Sequence, residues 1–287
     1  MLKKLTIAML LGSLVLFGTL GAAAMTADEI LDEMEDIFSV DSDDVQGVLT
    51  TMSLHNEYSG GVSSDYTLAM FELTTFDTSM PEDKDETTHV LMYFMGGDED
   101  GSIFLIETPE DDSLDSRMWL YLPALGLTKE LISDEDQSGS FAGSSMSYGD
   151  LGGTRDLRDE YDATILREET RDVAGEAFDV WVLELIAKPA ADADHARVLL
   201  WVSKGDYLTL RMEAYNQSEA LENTMEFRAL GEFEGDRIPE IIFSTDAAEE
   251  TSSTITISGT RRPDAPLSLD LLDPTTLGEL DPSLHGF

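Results

Sequence analysis

The chain has 287 residues, of which 59 are acidic and 17 are Lys or Arg, so its formal net charge is −42 at pH 7. This balance argues against nucleic-acid binding, which needs Lys and Arg for the phosphates, and disfavours adhesion to anionic lipid surfaces. The absence of Cys excludes disulfides and thiolate metal sites. Hydrophobic residues make up 42% of the chain, which is enough for a sizeable core.

The N-terminus has the parts of a secretory signal peptide in the right order. Lys3 and Lys4 form a positive start, residues 5–20 are mostly apolar, and residues 22–24 are the small alanines that a signal peptidase reads. The apolar stretch is short for a membrane anchor, which needs about 20 apolar residues. We therefore expect cleavage after Ala24 and export of the remaining chain to a bacterial periplasm.

The acidic excess is interpreted as a solvated coat that keeps the protein soluble by repulsion. Such repulsion destabilises a compact state unless salt screens it, and at about 1 M salt the Debye length falls to about 3 Å. The composition therefore indicates a saline habitat. Calcium binding by acidic runs such as 41–44 and 98–100 is the alternative, although neither run has the spacing of a dedicated calcium loop.

One amphipathic helix is predicted directly after the signal peptide. Thr26 and Glu29 have the spacing of a capping box, and apolar residues recur at helical spacing from Ile30 to Phe38. These features predict a helix over residues 27–38.

Beyond this helix the chain has the pattern of successive β-strands rich in Val, Ile, Thr and aromatic residues. Short turn-like connectors predict antiparallel neighbours, and alternation within 178–184 and 254–258 indicates that one sheet face is buried. We predict a mainly β fold with few helices, in one domain over residues 25–287. The predicted strands are 47–58, 66–77, 87–95, 102–107, 117–122, 161–168, 176–187, 196–203, 207–215, 224–233, 238–244 and 253–258.

Residues 133–160 interrupt the series of strands. This segment is rich in Ser and Gly and carries scattered aromatic residues, which predicts a long functional loop acting as a movable flap. After Arg262 four prolines predict an extended tail along the surface.

Few residues in the sequence suggest catalysis. His55, His89, His195 and His285 are widely spaced and show no zinc-binding pair. Neither a nucleophile elbow, a phosphate-binding loop nor a dinucleotide fingerprint is present. We therefore predict a protein that is not an enzyme and uses no cofactor or metal, with an unrelated secreted hydrolase as the alternative of another class.

Three motifs between residues 117 and 151 resemble a known family. They are the Met-Trp-Leu-Tyr-Leu-Pro strand at 118–123, the Ser-Phe-Ala-Gly-Ser turn at 140–144 and Tyr-Gly-Asp-Leu at 148–151. Their order and spacing resemble the outer-membrane lipoprotein-sorting family, relatives of the periplasmic lipoprotein carrier LolA. Two positions depart from the family pattern: Lys129 is the lone basic residue between strand and turn, and Gly149 replaces a residue that is often acidic.

The resemblance implies a curved, antiparallel half-barrel sheet, with helices covering its concave face and an apolar cavity between them. It also implies a non-catalytic periplasmic carrier or binding protein for lipids or lipid-modified proteins, in outer-membrane lipoprotein sorting or envelope lipid transport. The alternative that it leaves open is an accessory or sensor protein of an inner-membrane exporter of the resistance-nodulation-division (RND) type. Implied partners are acyl chains, an inner-membrane exporter and an outer-membrane acceptor.

A lipid carrier needs a large dry cavity, because each buried CH₂ contributes about 0.8 kcal/mol and one acyl chain more than roughly 10 kcal/mol. Flexible methionines suit its lining, and the chain has 13. The alternative for each single candidate is an ordinary core residue of the sheet. The candidate cavity and flap residues are Met118, Trp119, Tyr121, Phe141, Met146, Tyr148, Trp181 and Trp201.

Overall fold

A computed structural model describes residues 25–38, 47–76, 86–96, 99–109, 114, 116–151, 157–189, 191, 193–263 and 272–281. The predicted signal peptide and the acidic run 41–44 lie outside these ranges. None of the helices within them is long and apolar enough to cross a membrane.

The predicted N-terminal helix is confirmed as α1 (Ala27–Phe38). Its capping box is present, since the backbone N of Thr26 donates to Oε2 of Glu29 at 2.8 Å and the backbone N of Glu29 donates to Oγ1 of Thr26 at 3.2 Å. Ile30 and Leu31 are fully buried. The apolar side of the helix therefore packs against the sheet.

Thirteen strands among the described residues form one open, curved antiparallel sheet. The mainly β fold class is thereby confirmed. Two short helices, α2 (Asp134–Gln137) and α3 (Leu157–Glu160), lie between the sixth and seventh strands. The strands are β1 (Val48–Tyr58), β2 (Val62–Phe76), β3 (Glu86–Phe94), β4 (Ile103–Pro109), β5 (Arg117–Leu122), β6 (Leu127–Glu130), β7 (Tyr161–Val173), β8 (Glu176–Ala187), β9 (Arg197–Ser203), β10 (Thr209–Tyr215), β11 (Leu221–Phe233), β12 (Asp236–Asp246) and β13 (Thr251–Arg261).

The first strand lies in the middle of the sheet. It pairs with β2 on one side and with β13 on the other, so β1 to β6 step outwards to one edge and β7 to β13 return from the opposite edge. The connection from β6 to β7 must therefore cross the sheet from edge to edge. We call the described residues of this connection, 131–151 and 157–160, the crossover segment.

Two faces of the sheet follow from the pairing register, because paired residues share a face and successive residues alternate between faces. The face that we call the helix face is covered by α1 over β7 to β10 and by the crossover segment over β1 to β5. The opposite face, the tail face, is covered over β2 to β5 by residues 272–280. This C-terminal cover agrees with the tail predicted along the surface.

A chain of cross-strand pairs places both covers on the same face. It begins under the crossover segment, crosses the centre of the sheet and ends under α1. That this face is the concave one, as the resemblance implies, stays a prediction. The pairs run Leu54–Ile255–Ile242–Phe227 and continue from Met225, two residues along β11, through Met212 to Leu200.

The strand pattern differs from the sequence prediction mainly at β6 and β7. Each predicted strand overlaps an observed one, but β6 is not predicted, because it has only 4 residues and lies at an edge where half of its backbone groups have no strand partner. β7 continues through an exposed, charged stretch to Val173, beyond its predicted end at residue 168.

Candidate functional site

Two aromatic residues of the crossover segment fill the helix face above β3 and β4. Phe141 is 3% exposed, and its ring centroid lies 5.6 Å from Phe94 and 5.8 Å from Phe104. Tyr148 packs edge-on against Phe104 at 5.1 Å and against Phe141 at 5.7 Å. Tilted and edge-on contacts of this kind stabilise beyond their buried area, so the segment closes this part of the face.

The turn that presents Phe141 has an unusual backbone. Ala142 and Gly143 both have left-handed conformations, with φ of 48° and 69°. A Cβ atom on Gly143 would lie 2.6 Å from the Oη of Tyr58. The glycine of the Ser-Phe-Ala-Gly-Ser turn is therefore required by both its conformation and its close approach to β1.

A buried polar network anchors this turn to the sheet. Asn56 is fully buried, and it donates from Nδ2 to the carbonyl of Ala142 at 3.0 Å and accepts from the Oγ of Ser253 at 2.8 Å. The backbone N of Ser145 donates to the Oγ of Ser253 at 2.9 Å, and the hydroxyls of Ser145 and Ser244 lie 2.6 Å apart. Satisfied buried networks fix a single geometry. The structure thus seats the predicted flap on the sheet, and its opening stays a prediction.

The α1 side of the helix face ends at another aromatic pair. Trp181 stacks on Tyr207 with ring centroids 6.0 Å apart, and the Nζ of Lys204 lies 5.2 Å from the Trp181 ring. The hydroxyl of Tyr207 donates to the sulfur of Met25 at 3.7 Å, just ahead of α1. These contacts join the start of the helix to β8.

Between the two covers, the helix face has apolar side chains that are only half buried. We call this surface, on β10 to β13, the open strip. Four neighbouring strands span about 14 Å, and the two methionines among its residues adapt readily to irregular ligands. The residues of the open strip are Met212, Met225, Ile242, Ile255 and Ile257.

Only some of the sequence-predicted site residues share the helix face. Met118 lies buried beneath the crossover segment, Phe141 and Tyr148 belong to that segment, and Trp181 lies beside α1. Met146 is half buried in the crossover segment, where its carbonyl accepts from the backbone N of Phe141 at 2.8 Å.

Trp119 and Tyr121 lie on the tail face, whereas Met118 lies on the helix face, and a role for these two residues in ligand binding stays a prediction. They alternate with Met118 along β5, and successive strand residues point to opposite faces. Trp119 is 5% exposed and packs in a cluster with Leu272 and Leu277 of the C-terminal cover.

Trp201 is also on the tail face and belongs to an electrostatic network. Its Nε1 donates to Oε1 of Glu169 at 2.6 Å, and the guanidinium groups of Arg167 and Arg211 lie 5.7 and 5.6 Å from its ring. Cation–π contacts of this kind contribute about 0.5–1 kcal/mol at exposed sites. These contacts fix the Trp201 ring on the tail face, and its part in a ligand site stays a prediction.

Arg211 continues this network between two carboxylates. It donates to Oε1 of Glu213 and to Oε2 of Glu226, both at 2.6 Å. Burial raises the pKa of Glu213, but hydrogen bonds from Tyr215 and Arg211 outweigh burial and lower it below its ordinary value. Burial likewise raises the pKa of Glu226, and the hydrogen bond from Arg228 with the charge of Arg211 brings it below the ordinary value.

Sequence reasoning missed the residues of the open strip. Alternation in 254–258 does identify Ile255 and Ile257 as one face of a strand. The sequence contains no signal that the covers leave this part of the face half exposed, because that depends on where the crossover segment runs. Within the described ranges, no three His, Asp or Glu side chains gather closely enough to hold a metal ion.

Solved structures share this fold over most of the chain. A DUF1329 family protein from Desulfovibrio piger has a TM-score of 0.72 and 21% identity, covering 88% of this chain and 97% of its own. A second structure, from Vibrio parahaemolyticus, is described as a domain with an inferred role as an outer membrane lipoprotein-sorting protein. It has a TM-score of 0.69 and 22% identity, and the match covers 88% of this chain and 98% of the other. A LolA superfamily protein from Nitrosomonas europaea has a TM-score of 0.58 and 18% identity, with coverage of 87% and 98%.

Comparison by sequence gives a family match as well. No curated protein matches the chain. A family model described as "Uncharacterized protein" matches residues 86–278, which span β3 to the C-terminal cover. The chain therefore belongs to this family, and it has the fold of the DUF1329, lipoprotein-sorting and LolA superfamily structures.

Proposed function

We propose that the protein is a non-catalytic periplasmic carrier or binding protein for lipids or lipid-modified proteins. The observation that carries this proposal is the open strip, a half-exposed apolar surface between two covers on one face of a sheet. An acyl chain laid on this strip would bury the exposed parts of Met212, Met225 and Ile242. Apolar transfer at about 25 cal/mol per Å² of buried surface favours this contact.

The fold supports the same role. Two of the similar structures are described as a lipoprotein-sorting domain and a LolA superfamily protein. We assign this chain to outer-membrane lipoprotein sorting or envelope lipid transport. An inner-membrane exporter would act as donor and an outer-membrane site as acceptor. The acidic surface keeps the carrier off anionic membranes between deliveries.

Copurified lipid is the first test of the proposal. The protein is isolated from periplasm, extracted with organic solvent, and the extract is analysed by mass spectrometry. We expect acyl lipid in stoichiometric amounts. N-terminal sequencing of the same material should begin at Met25, and a start upstream of Leu20 would contradict the predicted cleavage and export.

Binding by the delipidated protein tests the site itself. The neutral probe N-phenyl-1-naphthylamine should bind with increased fluorescence, and an Ile242→Asn, Ile255→Asn double variant should bind about tenfold more weakly. Val62→Asn is the control, because Val62 is 63% exposed at the start of β2, away from the strip. Circular dichroism verifies folding of each variant. A folded double variant that binds as tightly as the parent would place the ligand elsewhere.

A further inference from the structure

The hairpin formed by β5 and β6 ends in an uncharged, exposed tip. Residues 122–127 have the sequence Leu-Pro-Ala-Leu-Gly-Leu, and no charged residue occurs in 118–128, although 59 of the 287 residues of the chain are acidic. Leu125 and Leu127 are 65% and 44% exposed, and the other residues from 123 to 127 are exposed as well. We call residues 122–127 the hairpin tip.

The apolar residues of the hairpin tip form a contiguous surface. Single exposed apolar residues are ordinary, and Ile132 is one of them at 75% exposure, whereas contiguous apolar patches mark interaction sites. Leu122 pairs with Leu127 across the hairpin. Leu120, the next residue of β5 on the same face, packs against the cluster under the crossover segment. Apolar surface therefore runs from the hairpin tip to this cover.

The backbone of the hairpin tip is held in a tight turn. The backbone N of Leu125 donates to the carbonyl of Leu122 at 3.1 Å, and that of Gly126 donates to the same carbonyl at 2.9 Å. Gly126 has a left-handed φ of 60°, which glycine adopts without strain, and Pro123 has no N–H group. Amide groups without partners are costly in an apolar medium. The donors of residues 125 and 126 need no water, so this cost is avoided for them.

An acidic turn lies beside the hairpin tip. The turn between β3 and β4 includes Gly101, where a Cβ atom would lie 3.6 Å from Cγ of Pro123. Glu99 and Asp100 directly precede Gly101, so two carboxylates lie in the turn that borders the apolar surface. An anionic surface would be repelled by them and by the net charge of −42. The hairpin tip therefore suits an apolar partner surface without negative charge.

A neutral lipid bilayer fits these features better than a protein does. A specific protein interface buries about 1,200–2,000 Å² in total, whereas the hairpin tip has only six residues and is bordered by acids. The headgroup boundary of a bilayer accepts short apolar segments. Zwitterionic headgroups have no net charge, so they do not repel an acidic protein as anionic lipids do.

We propose that the hairpin tip inserts into the interface of a neutral, zwitterionic bilayer. Leu125 and Leu127 enter the boundary between headgroups and acyl chains, while the acidic remainder of the protein stays in water. Contacts of this size give weak and reversible binding, as for a single acyl anchor with an association constant of about 10⁴ M⁻¹. The inference goes beyond the proposed function, because a carrier can hold lipid without touching a bilayer itself.

Cosedimentation with sucrose-loaded phosphatidylcholine vesicles tests this contact. The parent should bind, and Leu125→Asn should bind about tenfold more weakly, because a polar side chain replaces an apolar one. Ile132→Asn is the matched control, since Ile132 is more exposed than Leu125 but lies about 16 Å beyond Leu127 along the chain. It should bind like the parent. Circular dichroism verifies folding of each variant.

A tryptophan at the same position reports insertion directly. Leu125→Trp should gain fluorescence that brominated phosphatidylcholine quenches, and Ile132→Trp should not. Adding phosphatidylglycerol to the vesicles should weaken binding of the parent in dilute buffer, because anionic headgroups repel the acidic surface. Stronger binding to these anionic vesicles would overturn the assignment to a neutral bilayer.

The variants also separate this contact from the carrier function. Absence of vesicle binding by the parent would overturn the bilayer contact and favour a protein partner. Unchanged binding by Leu125→Asn, or an equal loss in Ile132→Asn, would overturn the assignment to the hairpin tip. Leu125→Asn should still bind N-phenyl-1-naphthylamine like the parent, because Leu125 lies outside the open strip. If the parent binds vesicles but not this probe, the proposed function fails while the bilayer contact stands.

Discussion

The hydroxyl groups of Ser145 and Ser244 lie 2.6 Å apart, although 99 residues separate them in the chain. Both side chains are buried, at 7% and 4% exposure. This contact joins the crossover segment to β12 near the middle of the sheet. It therefore links the cover above β3 and β4 to the strands that carry the open strip.

Removing either hydroxyl should loosen this link. We expect Ser145→Ala and Ser244→Ala each to lower the free energy of unfolding by about 1–3 kcal/mol, because each leaves a buried hydroxyl without its partner. The double variant should lose less than the sum of the two, which urea unfolding measures. Ser218→Ala, in an exposed turn, serves as control. Strict additivity would contradict the coupling.

Gly143 should be less replaceable than other glycines with similar backbone angles. Gly143→Ala and Gly175→Ala both introduce a Cβ at left-handed φ, of 69° and 89°. Only Gly143 approaches Tyr58, since a Cβ on Gly175 meets nothing within 4 Å. We expect Gly143→Ala to cost about 1–3 kcal/mol more, and Tyr58→Phe to recover part of that difference. Thermal melts of the variants measure the effect, and equal losses at both glycines would contradict it.

Glu72 should make the protein less stable at neutral pH than it would be without that carboxylate. Because burial raises its pKa in the folded state, the folded protein holds the proton more tightly, and stability falls as pH rises from the unfolded pKa through the folded one. Glu72→Gln should therefore increase the free energy of unfolding at neutral pH by about 1 kcal/mol, and the melting temperature should rise accordingly. The gain should shrink as pH approaches the unfolded pKa. A lower melting temperature at all pH values would contradict this.

Glu213 and Glu226 should have the opposite dependence. Their pKa values are lowered in the folded state, so they stabilise the protein above the unfolded pKa and lose this contribution as pH falls through the folded pKa. Arg211→Gln leaves both without their shared partner. It should cost about 1–3 kcal/mol at neutral pH and flatten the acid limb of the stability profile. An unchanged acid limb in urea unfolding would argue against this network.

Salt should stabilise the whole molecule. With 59 acidic residues against 17 basic ones, repulsion among carboxylates outweighs the screening of exposed ion pairs such as Arg237–Glu176, because exposed pairs contribute only about 0–1 kcal/mol. We expect the melting temperature to rise from dilute buffer to concentrated NaCl. Equal melting temperatures would remove the case for saline adaptation.

The sequence predicts the strands well because alternation and turn residues are local properties. Thr26 and Glu29 are sufficient to locate the helix start, and the Ile255–Ile257 alternation locates a half-buried strand. β6 escapes prediction because four residues at an edge carry too little pattern. Local pattern therefore recovers most elements of the fold.

The candidate site is less predictable because it depends on which face each residue occupies. The motif that carries the family resemblance includes Met118, Trp119 and Tyr121 together, yet β-strand alternation separates the first from the other two. The position of the covers adds a second unknown. Phe141 reaches Phe94 and Phe104 only because the crossover segment spans the sheet, and nothing local in the sequence specifies that route.

The pairing of β1 with β13 also sets the order in which the sheet is completed. Every other pair of neighbouring strands is consecutive in the chain and can form locally as a hairpin. The pairing of Leu54 with Ile255, in contrast, joins β1 to the last strand of the chain. Loop closure over such a separation is slow compared with hairpin formation. A chain emerging from its N-terminus therefore keeps one edge of β1 unsatisfied until residues 251–261 arrive. Before then the nascent protein is two half-sheets, and it would need shielding from edge-to-edge association.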